Sequence, residues 1–116
     1  MTAMDKVLEQ TLLYDFYGEL LTENQKRIYE DIRFGDLSLS EVAQASGISR
    51  QGVHDMLRRT EKALCEYEEK LGLVARFRKT NELADRIRHL VRQFEDTSDA
   101  SLVEEIGRIS AEIGEL

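Results

Sequence analysis

Apolar positions recur at helical spacing along most of this chain. Val7, Leu8, Leu12, Leu13, Phe16 and Tyr17 predict a first helix that ends at Gly18. Thr22 followed by Gln25 is a capping-box pattern, in which the hydroxyl accepts a backbone N–H three residues on and the glutamine reaches back. It predicts a second helix that turns Ile28, Tyr29 and Ile32 inward and gives out around Gly35. Ser38 and Glu41 repeat the box and open a short third helix with Val42 and Ala43 on its buried side. Gly47 stops that helix, because a residue without Cβ passes through positive φ with the least steric cost.

Ser49 then caps a fourth helix whose core stripe is Val53, Met56, Leu57, Thr60, Leu64, Tyr67 and Leu71, with Gly72 as its C-cap. A fifth, from about Leu73 to Glu95, carries Phe77, Ala84, Ile87, Val91 and Phe94 along one side. The polar run DTSDAS breaks the pattern, and a last helix begins near Leu102. Its residues Leu102, Ile106, Ile109, Ile113 and Leu116 alternate spacings of four and three, a short coiled-coil-like seam with which a homodimer is one option. The expectation is an all-α protein: a helical head over 1–72, and a helical tail over 73–116 packed on the head or on a partner.

Within the head the third and fourth helices have the spacing of a helix-turn-helix. Close crossing needs a small residue on the first helix, a Gly four later, an apolar residue after it and a further apolar anchor on the second helix. Ala43, Gly47, Ile48 and Val53 supply these in order. An αα-corner without a ligand is the alternative.

Composition sharpens the picture. The 116 residues contain no Pro, and Glu, Arg, Lys, Leu and Ala favour helix over sheet. A formal net charge of −7 argues against coating nucleic acid by bulk attraction. The charge is unevenly spread: residues 73–95 hold six bases against three acids, and residues 96–116 one base against six acids. One Cys makes no internal disulfide, the first ten residues lack a signal-peptide core, and nothing is apolar for long enough to span a bilayer. A cytoplasmic protein without membrane insertion is expected.

Rotation by about 100° per residue places Gln51, His54, Asp55, Arg58, Lys62 and Cys65 opposite the core stripe of the fourth helix, with Arg50 and Arg59 towards its edges. Gln51 and Arg58 suit base edges, and Arg50, Arg59 and Lys62 suit phosphate. Ser49 and the first N–H groups of the helix add an anion site. Asp55 opposes this use unless Arg58 or Arg59 neutralises it. Arg78, Lys79 and Arg86 on the fifth helix form a second basic surface, for which a solvated face laced with salt bridges to Glu82 and Asp85 is the competing reading.

The runs YDFYGELLTENQ (Tyr14 to Gln25), DLSLSEVA (Asp36 to Ala43), ISRQGVHDMLRRTEK (Ile48 to Lys62) and YEEKLGL (Tyr67 to Leu73) together resemble the YlxM family of small bacterial proteins. The resemblance implies a fold similar to region 4 of sigma factors, unrelated to winged-helix proteins. It also implies a place in the signal recognition particle pathway, because family members are typically encoded beside that particle's GTPase. The particle's RNA or its GTPase would then be the partner, with Ser49, Arg50, Gln51, Arg58 and Arg59 carried over as the start and middle of the recognition helix. From about Asp96 onward the resemblance is weaker.

No catalytic or metal constellation stands out. His54 and His89 lack a second ligand at useful spacing, Cys65 has no evident base, and there is no glycine-rich phosphate loop. A non-enzyme without cofactor or metal is expected. Three functions stay open: an accessory protein of the particle, a sigma-like DNA-binding regulator, and a protein-interaction module that has lost nucleic-acid binding.

Overall fold

Local hydrogen bonds at the helix starts set the frame of the head. In the computed structural model, which describes the backbone of residues 3–116 and side chains from residue 5 onward, both capping boxes are closed in both directions. Thr22 Oγ1 accepts from the Gln25 N–H at 3.2 Å, and Ser38 Oγ from that of Glu41 at 3.1 Å. Met1 and Thr2 of the expected head lie outside the described residues.

Helix α1 (Ala3–Tyr17) runs into a 3-10 turn (Gly18–Leu20) and is followed by α2 (Glu23–Tyr29). α2 widens into a π-helical turn, Glu30–Phe34, where the Gly35 N–H donates to the Glu30 carbonyl at 2.8 Å. That turn brings Phe34 against Tyr14 and Tyr29, with ring centroids 5.3 and 5.7 Å away, while the two tyrosines stack at 5.2 Å. The trio joins α1 to α2, and offset or tilted aromatic pairs add stability beyond their buried area. Tyr14 also donates its hydroxyl to Glu30.

Then come α3 (Leu39–Ser46) and α4 (Arg50–Leu71). Gly47 sits in the left-handed region at φ 71° and returns its N–H to the Ala43 carbonyl, as its position between two helices requires. Ser49 caps α4 by accepting the Gly52 N–H at 3.0 Å. α4 is the backbone of the head and packs against α1, α2 and α3. One core cluster is Ile28, Val42, Ala43 and Val53, with Ile32, Leu39 and Met56 at its margin. Farther along, Leu13, Tyr17, Leu57, Thr60 and Leu64 are buried, and Tyr17 donates to Glu68 at 2.6 Å. Leu71, expected in the core stripe, is 55% exposed because it occupies the last turn of α4.

The chain divides between Gly72 and Leu73 into two compact units. The second is an antiparallel hairpin of α5 (Leu73–Thr97) and α6 (Ser101–Gly114). Its core is Leu83, Leu90 and Ile109, flanked by Ile87, Leu102, Ile106 and Ile113. Here the expected stripe of α5 needs correction. Of Phe77, Ala84, Ile87, Val91 and Phe94, only Ile87 packs in that cluster, and Phe77, Val91 and Phe94 are exposed. The helix carries two neighbouring apolar arcs, and α6 takes the one through Leu83 and Leu90. The last seam is thus engaged by α5 of the same chain through Leu102, Ile106, Ile109 and Ile113, while Leu116 is exposed. Among the described residues there is no strand, and no helix is long and apolar enough to cross a membrane.

Candidate nucleic-acid interface

A helix-turn-helix presents one face of its second helix only if the opposite face is anchored. Val53, Leu57, Thr60 and Leu64 provide that anchor, all buried, so the N-terminal half of α4 exposes Arg50, Gln51, Asp55, Arg58, Arg59 and Lys62. His54 departs from the simple rotation. It is half-buried beside a recess of about 440 Å³ lined with Leu39, Arg50 and Gln51, and its Nδ1 is shielded from solvent without a hydrogen-bond partner. Leu39, the first residue of α3, therefore shapes this recess, a role that its sequence position does not signal.

The charges on this face are unequally satisfied. Among the described residues, Arg50 and Arg58 have no ion-pair partner. Lys62 reaches Glu66 only at 3.9 Å, a contact between exposed groups that contributes little. Arg59 donates to the backbone carbonyl of Asp55 at 3.4 Å and leaves the carboxylate alone. The Asp55 carboxylate instead accepts from the Gln51 side-chain amide at 3.0 Å, one helical turn away. Neither Arg58 nor Arg59 makes an ion pair with Asp55, although the three side chains line one shallow depression. Ser49 contributes its oxygen to the cap and so orients the helix start, where free N–H groups and the helix dipole favour an anion.

The second basic surface is largely occupied internally. Lys79 lies 3.8 Å from Glu82, and Arg86 reaches across to Glu105 of α6 at 3.4 Å. Arg88 pairs with Asp85. Arg78 is exposed and has no ion pair among the described residues. This pairing supports the salt-bridge reading of α5.

Cys65 is exposed on α4 beside a groove formed with Glu9, Gln10, Leu13 and Glu61. Partial burial of the thiol, with the carboxylates of Glu9 and Glu61 nearby, pushes its pKa up. The thiolate is therefore scarcer in the folded chain than in the unfolded one at any given pH near 8. Alkylation by iodoacetamide at pH 8 is expected to be slower in native protein than in urea, with a pH–rate midpoint displaced upward. Equal rates would contradict this placement of the thiol. Among the described residues there is no cluster of His, Cys, Asp and Glu suited to a metal ion.

Comparison with known proteins agrees with the geometry. A family model for helix-turn-helix proteins described as "YlxM / p13 like" matches residues 4–105. A UPF0122 protein of Thermoanaerobacter sp. is 45% identical over 108 residues, covering 90% of this chain and 92% of that protein. The corresponding protein of Halalkalibacterium halodurans is 43% identical over 88 residues, 76% of this chain and 81% of that one. That of Geobacillus kaustophilus is 36% identical over 108 residues, 91% and 98% of the two chains.

Proposed function

The chain belongs to the YlxM / p13-like family of helix-turn-helix proteins, and from that premise we propose that it acts without catalysis, as a regulatory or accessory protein of the signal recognition particle pathway that holds the particle's RNA through α3 and α4. The observation that carries this reading is the exposed, firmly backed face of α4, on which Arg50 and Arg58 have no acid partner among the described residues and Arg59 and Lys62 are only weakly held. Cations left unpaired in a protein of net charge −7 are groups available to an external anion. Phosphate contacts of this kind position a nucleic acid without reading it.

The test is a salt titration of labelled particle RNA, with a random RNA hairpin and a random DNA duplex alongside. Binding that prefers the particle RNA, with a log–log salt slope of about −2 to −4 for three to five phosphate contacts, is the expected result. A preference for one duplex sequence would turn the assignment to a DNA-binding regulator. A second reading, a protein-interaction module directed at the GTPase, is favoured by one feature: the uncompensated Asp55 carboxylate in the middle of the face. No binding to any of the three nucleic acids, with retained binding to the GTPase, would select it.

A further inference from the structure

We propose that Asp55 and Gln51 are the specificity-determining pair of α4 and that they select an unpaired base bearing an exocyclic amino group, cytosine, adenine or guanine, against uracil in the bound RNA. The inference rests on the reading of α4 as an RNA-binding helix and adds what that helix recognises. Its starting point is the one hydrogen bond that joins two polar side chains across the exposed face: Gln51 Nε2 donates to Asp55 Oδ1 at 3.0 Å. This bond fixes the direction of the amide. It spends an N–H of Gln51 inside the protein and leaves the Gln51 carbonyl oxygen, together with the second oxygen of Asp55, as acceptors without a partner among the described residues.

An acceptor-rich pair at this place is costly for a surface that only holds phosphate. Arg50, Arg58 and Arg59 surround it, yet none of them makes an ion pair with Asp55; Arg59 takes the backbone carbonyl instead, and the nearest other cationic candidate, His54 Nδ1, is 3.9 Å away. The carboxylate thus opposes the approach of a polyanion, and the opposition is useful if a hydrogen-bond donor comes with the ligand. Donors on base edges are the N4 amino group of cytosine, the N6 amino group of adenine and, once guanine is unpaired, its N1–H and N2 amino group, and a carboxylate accepting from cytosine N4 is a standard pairing. Uracil has no amino group, and its single N3–H is flanked by two carbonyl oxygens that an acceptor pair would repel. The recess beside Gln51, walled by Leu39, Arg50 and His54, offers space for a base swung out of a stack. In A-form RNA the major groove is closed to side chains, so the base must come from a loop or bulge.

The test uses the full-length chain and a library of RNA hairpins with randomised loops, selected by the natural protein and by Asp55→Ala and Asp55→Asn. Both substitutions fall at an exposed position, and helicity by circular dichroism confirms the fold. The natural protein is expected to disfavour uracil against the three amino-bearing bases at one loop position by about tenfold, near the low end for a single base contact. Asp55→Ala should bind hairpins more tightly as a group, because a charge opposed to phosphate is gone, while losing that preference. Asp55→Asn, which keeps an acceptor, should retain part of it. An unchanged preference in Asp55→Ala, enrichment of uracil, or binding without any base preference would each overturn the assignment of this pair while leaving α4 as an RNA-binding helix. Failure of the natural protein to bind any RNA would overturn both.

Discussion

Reversing two charges on α4, Arg58→Glu with Arg59→Glu, is expected to lower affinity for the particle RNA by about two to three powers of ten at low salt and to leave the fold intact. The size follows from a change of four unit charges on one face, each worth about 1 kcal/mol against a phosphate a few ångströms away in high dielectric. The salt slope should also flatten by roughly 1.5, the contribution of two phosphate contacts. Both arginines are exposed, Arg58 makes no ion pair among the described residues and Arg59 gives up a single long hydrogen bond, so the loss of stability should stay within about 0.5 kcal/mol. Titration against the labelled RNA and a thermal melt of the same sample separate the two effects. Unchanged affinity with an unchanged melt would remove these residues from the interface. Loss of GTPase binding with RNA binding retained would assign the face to a protein partner.

How far the chain can be read without coordinates depends on whether the deciding interaction is local. Thr22 with Gln25, Ser38 with Glu41, and Gly47 before Ser49 each close a hydrogen bond within four residues, so the helix starts and the turn of the helix-turn-helix are written in short words. The stripe of α4 is legible for a related reason: Val53, Leu57, Thr60 and Leu64 form one apolar arc with charged residues opposite. α5 lacks that contrast. Its apolar residues cover two arcs, and only the presence of α6 decides between them, a long-range choice that periodicity does not contain. The π-helical turn is hidden in the same way, since the packing of Phe34 on Tyr14 and Tyr29 joins residues up to twenty positions apart. On the exposed face of α4, the positions of Arg50, Arg58, Arg59 and Lys62 follow from helical geometry. What Asp55 does with its charge depends on rotamers, and there Gln51, one turn earlier, prevails over the arginines on either side.

Val53→Asp is expected to abolish the cooperative folding of the head and, with it, the RNA binding proposed for α4. Val53 is fully buried in α4 and meets Ile28 of α2 and Val42 and Ala43 of α3, so one side chain joins three helices. Removing it forfeits about 1.5–3 kcal/mol of apolar burial. Placing a carboxylate there adds a desolvation penalty of several kcal/mol unless the group stays protonated, since the surrounding cluster offers no donor side chain. Against a stability of about 5–15 kcal/mol for a domain, that sum removes most of the margin. Val53→Ala should cost about 2 kcal/mol and keep the fold, which distinguishes lost packing from buried charge. Two residues away on the same helix, Asp55 already carries a carboxylate without difficulty, because its side chain faces water and Gln51 rather than Ile28. The comparison isolates direction as the deciding variable: an acid is tolerated on one side of α4 and disruptive on the other. Thermal unfolding followed by circular dichroism reads the outcome, and a Val53→Asp protein melting as the natural chain does would mean that α4 is not anchored through Val53.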